Sequence, residues 1–240
     1  MMRHGGQQNV SCSHFGLGVM AVPTMYQCHG DFRLFDIYNI SKNFERVPES
    51  GYTLTNQVDM VLKGRLGEAT SLKDVLSFDS EIDLRGIGSF RFKLRHTESQ
   101  RNVSVFIFNT GKWKLSGGIG VVNNSIELEK YIDTTIRFIE SWFKLTAARE
   151  YNICCINGIL RLGKAVNTRL IVSNLRAHYH HIIEPQYDKK GRRNCWKFYA
   201  FENRKCQISV GKEGNAQIFG CISIEELNRI CQPLINCWND

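Results

Sequence analysis

Ser104–Gly118, SVFIFNTGKWKLSGG, can be read one face at a time. Asn109, Thr110 and Gly111 suit a hairpin loop that turns on a left-handed glycine. Such a turn pairs Phe108 with Lys112, Phe106 with Lys114 and Ser104 with Ser116, all on one face. Val105, Ile107, Trp113 and Leu115 take the opposite face, and because strand side chains alternate, that face is expected to meet a hydrophobic core. The first face is left with two phenylalanines beside two lysines. An outward aromatic is costly unless something covers it, and lysine among aromatics is a combination that nucleic acid satisfies. An ordinary two-sided strand beneath a helix, or burial of Phe106 and Phe108 under the N-terminal segment, would account for the same alternation.

The flanking chain extends the pattern. Ser89–Arg95, SFRFKLR, puts Phe90, Phe92 and Leu94 on one face and Arg91, Lys93 and Arg95 on the other. Downstream, Asn124 followed by Glu127 has the spacing of a capping box. Leu128, Ile132, Ile136, Ile139 and Phe143 then recur at helical intervals, so an amphipathic helix is expected to about Phe143, its stripe covering the apolar face of the hairpins. Upstream, residues 1–30 are rich in Gly, Ser, Gln and Asn and read as a loosely ordered arm. Phe32–Phe44 reads as a strand, the run from Asp59 as another, and Ser71–Phe78 as a short helix.

From about Arg149 the order of elements runs again. Asn152–Leu162 reads as a strand pair with a glycine break, Asn167–His181 as an amphipathic helix, and Trp196–Phe201 and Cys206–Val210 as strands. The loop Lys212, Glu213, Gly214 ends in glycine as the first hairpin loop does, and Gly111 matches Gly214 at the separation at which Gly117 matches Gly220. Ser223 and Glu226 repeat the capping spacing before Leu227, Ile230, Cys231 and Leu234. An internal duplication follows. Two units are too few for a solenoid, but they can join edge to edge into one antiparallel sheet with helices on one side.

Composition agrees with a folded chain and narrows its partners. At 240 residues, with 42% hydrophobic and 22% charged residues, a sizeable core is affordable. A net charge of +8 favours a polyanion without separating nucleic acid from an acidic protein or membrane surface. Nine scattered cysteines suggest reduced thiols in an intracellular compartment, and the first thirty residues hold no apolar run long enough for a signal or a membrane span, so the chain reads as soluble. Cys12, His14, Cys28 and His29 match no usual zinc spacing, and no metal or cofactor is expected. Cys154 and Cys155 with His178, His180 and His181 lack a nucleophile, base and orienter at recognisable spacing, which argues against an enzyme. No phosphate-binding or dinucleotide loop appears.

VFIFNTGKWKLSGG, with the helix after each hairpin and the late proline in ICQPLI, resembles the TATA-box-binding protein family over roughly Val58–Trp238. The long N-terminal extension and the drifted second half are similar to the divergent members found in large DNA viruses. The resemblance implies an α+β saddle: two pseudo-symmetric repeats, 58–145 and 146–240 behind an extension 1–57, forming one curved antiparallel sheet with helices on the convex face. It implies a monomeric initiation factor, in the nucleus or a cytoplasmic viral factory, that bends AT-rich promoter DNA through the minor groove and offers its helices to general transcription factors or RNA polymerase.

Residue by residue, the resemblance places Phe108 as a wedge and Phe106 beside it, with Lys112, Lys114 and Ser116 on phosphate, sugar or base edges and Arg91, Lys93 and Arg95 on the same surface. The family's central asparagine and valine fall on Asp59 with Val61 and on Asn152 with Cys154. Asp59 departs from the pattern, because a carboxylate repels the acceptor-lined A·T groove. In the second half Gly211 stands at the wedge position, Asn215, Gln217 and Phe219 take the slots of Lys112, Lys114 and Ser116, and Trp196 and Phe198 are candidates to replace the wedge. Asymmetric binding follows, one half kinking the duplex strongly and the other mostly adding charge through Lys189, Lys190, Arg192 and Arg193. Asp59 and Gly211 also suit a protein-interaction module that kept the fold and lost DNA.

Overall fold

In a computed structural model of the chain the first hairpin forms in the expected register, Phe106 opposite Lys114 and Ser104 opposite Ser116. Gly111 closes its turn at φ +83°, its amide bonded to the Phe108 carbonyl at 3.0 Å. Gly214 does the same in the second hairpin, at φ +85° and 3.2 Å from the Gly211 carbonyl. A β-carbon would be strained at either position. The structure describes residues 21–44, 46–49, 51–56, 58–62, 69–71, 87–119, 124–161, 181–187, 193–200, 206–211 and 214–239. Residues 1–20, 72–78, 167–180 and 189–192, read from sequence as an arm, two helices and a basic loop, fall outside these.

The described strands are β1 (Val22–Leu34), β2 (Tyr52–Leu54), β3 (Asp59–Leu62), β4 (Ala69–Ser71), β5 (Ile87–His96), β6 (Asn102–Phe108), β7 (Lys112–Gly118), β8 (Thr146–Arg161), β9 (His181–Tyr187), β10 (Arg193–Tyr199), β11 (Gln207–Gly211) and β12 (Asn215–Cys221). The described helices are α1 (Ile37–Asn43), α2 (Ser125–Phe143) and α3 (Ile224–Asn239). All twelve strands join one antiparallel sheet in the order β4-β3-β5-β6-β7-β1-β8-β12-β11-β10-β9, with β2 added beside β5. The fold is α+β.

Three sequence expectations change. Val22–Leu34, assigned to the extension, is the strand at the middle of the sheet, paired with β7 on one side and β8 on the other. The run read as a strand from Phe32 divides at Asp36, whose carboxylate accepts from the Tyr38 amide at 2.9 Å and starts α1. Asn152–Leu162, expected as a broken pair, belongs to a single strand of 16 residues. Gly158 does not break it but makes room, since a β-carbon there would lie 2.7 Å from Leu227 of α3.

One face of the sheet is the core. Phe90, Phe92, Leu94, Val105, Ile107, Trp113, Leu115, Tyr26, Cys28, Ile156, Leu160, Ala216 and Ile218 are all buried. Both long helices cover this face. Every residue of the expected stripe on α2, from Leu128 to Phe143, is buried, and Trp142 and Phe143 meet Phe92 edge to face. Leu227, Ile230, Cys231 and Leu234 of α3 are buried likewise. Each such aliphatic or aromatic side chain contributes about 1.5–3 kcal/mol over an exposed one. Tyr52 shares a 2.7 Å hydrogen bond with Thr135 inside this layer. At Gly30 a β-carbon would sit 2.4 Å from the Trp113 ring, so the indole requires glycine on the central strand.

Both N-caps form at the expected spacing. The Glu127 amide donates to Asn124 Oδ1 at 2.9 Å, and the Glu226 amide to Ser223 Oγ at 3.0 Å while Glu226 accepts from the Ile222 amide at 2.8 Å. The two helix starts are also tied to each other. Glu225 accepts from the Ser125 amide at 3.0 Å and from its hydroxyl, and the Ile224 amide donates to Ser125 Oγ at 3.1 Å. Bonds from the Ser125 side chain and backbone pull the Glu225 carboxyl from its ordinary 4.5 to about 2. A depressed carboxylate stabilises the fold above its unfolded value and loses that contribution as pH falls through the folded one. Glu225→Gln should therefore lower the melting temperature at pH 7, the gap to the parent narrowing below about pH 4.5 and closing near pH 2. Melting curves across that range check this, and a gap constant with pH would contradict it.

Candidate nucleic-acid interface

The face opposite the helices is continuous through the register. Arg91 pairs with Phe106, Phe106 with Lys114, Lys114 with His29 and His29 with Asn152, so one row of side chains crosses β5, β6, β7, β1 and β8. The adjoining row runs Lys93, Ser104, Ser116, Gln27 and Cys155. None of these ten residues is buried. Phe108 keeps 39% of its surface exposed at the hairpin end of the face. An antiparallel sheet can leave one side to solvent, but ordinary solvated faces are polar, and this one carries aromatic rings.

Among the described residues its charge is predominantly positive. Arg91, Lys93, Arg95, Lys112 and Lys114 lie in the first half and Arg161 and Lys197 in the second. Against them stand Asp31, in register with Lys112, Asp59, in register with Arg91, Glu184, in register with Lys197, and Glu150, two residues before Asn152. The Arg91 guanidinium sits 5.4 Å from the centre of the Phe106 ring, a cation–π contact that holds both side chains on the surface.

The sequence-expected residues divide as follows. Phe106, Phe108, Lys112, Lys114, Ser116, Arg91, Lys93 and Arg95 come together on the open face of the first half. Asn152 joins them at the centre, and Asn215, Gln217 and Phe219 are exposed on β12. Cys154 is exposed at the irregularity where β1 and β8 shift register, its thiol donating to the Gln27 carbonyl at 3.4 Å. Val61 is not central. Its strand β3 lies on the far side of β5, with Val61 in register with Ser89 and Asp59 with Arg91. Phe198 is 1% exposed and pairs with buried Ile208, so it is a core residue and is removed from the interface. The Trp196 backbone pairs with Val210.

Sequence reading missed the residues that take the central place beside Asn152. Met25, Gln27 and His29 on β1 face Asn157, Cys155 and Asn152. The signal was the alternation in Tyr26-Gln27-Cys28-His29, where Tyr26 and Cys28 are fully buried and Gln27 and His29 are not. The same alternation places Cys28 and His29 on opposite faces, so they do not converge on one metal ion. Cys155 donates to Asn157 Oδ1 at 3.0 Å, and burial pushes its thiol up, away from thiolate chemistry. Among the described residues no helix is long and apolar enough to cross a membrane.

No family model matches the sequence, and no curated protein matches it. Among solved structures the chain is similar to a TBP of Methanococcus jannaschii, with 13% identity and a TM-score of 0.45, over 92% of this chain and 98% of that one.

Proposed function

We propose that this chain binds double-stranded DNA across the open face of its sheet and acts as a transcription initiation factor of the TATA-box-binding kind. The observation that carries the reading is the row Arg91–Phe106–Lys114–His29–Asn152, unburied on every strand it crosses. In this reading the halves 22–145 and 146–239 are two copies of one unit, together a curved saddle whose helices remain free for general transcription factors or a polymerase. The chain works as a monomer in the compartment that holds the promoter, the nucleus or a viral factory.

The chemistry needed is modest. Lysine and arginine neutralise phosphates and release counterions, which supplies affinity without sequence preference. Phe108, with Phe106 behind it, enters between base pairs from the minor groove, and unstacking costs a few kcal/mol per step, least at pyrimidine–purine steps such as TA. Asn152, Gln27 and His29 reach the floor of the groove at the centre, where an amide can donate to the A·T acceptors. Asp59 falls at the end of the row, in register with Arg91 on β5, rather than at the centre beside Asn152.

Duplex binding measured against salt tests the reading. With about six phosphate contacts, affinity for an AT-rich duplex should fall roughly 1,000-fold between 50 and 200 mM salt, while a GC-rich competitor displaces it poorly. A chain that forms no specific duplex complex even at low salt would instead be a protein-interaction module of this fold.

A further inference from the structure

In the second half the positions that register with the Phe108 and Phe106 rows hold no aromatic ring. They are Gly211 with Cys195, and Ser209 with Gln217 and Lys197. The next row away from the turn is different. Tyr199 pairs with Gln207 and Gln207 with Phe219, so two rings flank one glutamine on a single face. Tyr199 is 36% exposed and Phe219 37%, close to the 39% of Phe108, and neither belongs to the buried cluster. The equivalent row of the first half, counted from the hairpin glycines, is Lys93, Ser104 and Ser116, without a ring.

We infer that Tyr199 and Phe219 form a second base-stacking site on the open face, set further from its hairpin turn than the Phe106 and Phe108 site is from its own. The displacement is two to four residues along the strand, about 7–14 Å. The inference rests on the duplex-binding reading above and revises the expectation that the second half mostly adds charge. Its ligand is the same duplex, because Lys197 and Arg161 lie on the same face and, against Glu184 in register with Lys197, leave an excess of positive charge there that favours a polyanion over an apolar partner. The glutamine between the rings can donate to a base edge or sugar oxygen once the rings have parted a step. The two distorted steps of the bound DNA are then unrelated by the pseudo-twofold of the protein, which fixes the orientation of the chain on a site that is otherwise nearly symmetric.

The test is a scan with 2-aminopurine placed at successive adenines of an AT-rich duplex, where fluorescence rises at an unstacked step. The parent chain should give two maxima. Phe219→Ala and Tyr199→Ala should each abolish one and leave the other, Phe108→Ala should do the reverse, and each should weaken binding roughly 5- to 100-fold. Phe219→Trp and Tyr199→Phe should keep both maxima, and an unchanged melting curve for each alanine variant excludes misfolding. One maximum only, or two that survive Phe219→Ala and Tyr199→Ala, overturns the inference while leaving duplex binding intact. Absence of any specific complex with the parent chain overturns both.

Discussion

Cys28→Pro should leave a chain without a cooperative folding transition, whereas Cys28→Ala should still fold. Cys28 is fully buried at the midpoint of β1, in register with Leu115 on β7 and Ile153 on β8. Proline removes the amide donor and forces its ring into a strand hydrogen-bonded on both sides, a cost of about 3 kcal/mol or more against a total stability of about 5–15 kcal/mol. The effect does not stay local. β1 joins β7 to β8, so losing it parts the sheet into two pieces. Alanine keeps the amide and removes one buried sulfur, and it separates the backbone effect from packing. Denaturant titration followed by far-UV circular dichroism reads both. A two-state transition of normal steepness for Cys28→Pro would mean that β1 is dispensable.

Replacing Phe106 and Phe108 together by alanine should weaken binding to an AT-rich duplex roughly 100-fold and leave the salt dependence unchanged. Base–aromatic stacking is worth about 1–3 kcal/mol per base, and two neighbours in one site share part of that energy. Neither ring is in the core, so the melting temperature should hardly move. Lys112→Ala with Lys114→Ala should do the opposite. It removes two phosphate contacts and flattens the salt slope by about two, with AT over GC preference retained. The two double variants divide the affinity between stacking and charge. If both flattened the salt slope equally, the phenylalanines would have no role of their own.

What was legible in the sequence was local. A hairpin whose turn residues fix its register needs nothing from the rest of the chain, and Phe106, Phe108, Lys112 and Lys114 were placed correctly from fifteen residues. Both long helices announced themselves through a capping box and a stripe. β1 did not, because its pairing is wholly non-local: its partners lie at 112–118 and 146–159, and its exposed side is polar like the segment before it. With β1 unseen, the strand from Asp59 took its place in the comparison with Asn152, and Val61 was carried to the centre of the face. α1 was hidden for a related reason. Its seven residues are too few to stand alone, and it is held from outside by the Trp142 indole, which donates to the Asn43 carbonyl at 2.7 Å. Phe198 was misplaced because the loop before β10 left the strand parity undetermined, and an aromatic suits either side of a sheet.

The central claim is that the sheet face opposite the helices holds the DNA. Hydroxyl-radical footprinting of the protein, free and bound to an AT-rich duplex, tests it side chain by side chain. Phe106, Phe108, Met25 and His29 should lose most of their reactivity on binding, while Ile126 and Tyr38, exposed on α2 and α1, keep theirs. Protection of Ile126 and Tyr38 with Phe108 left reactive would place the duplex on the helices and contradict the account.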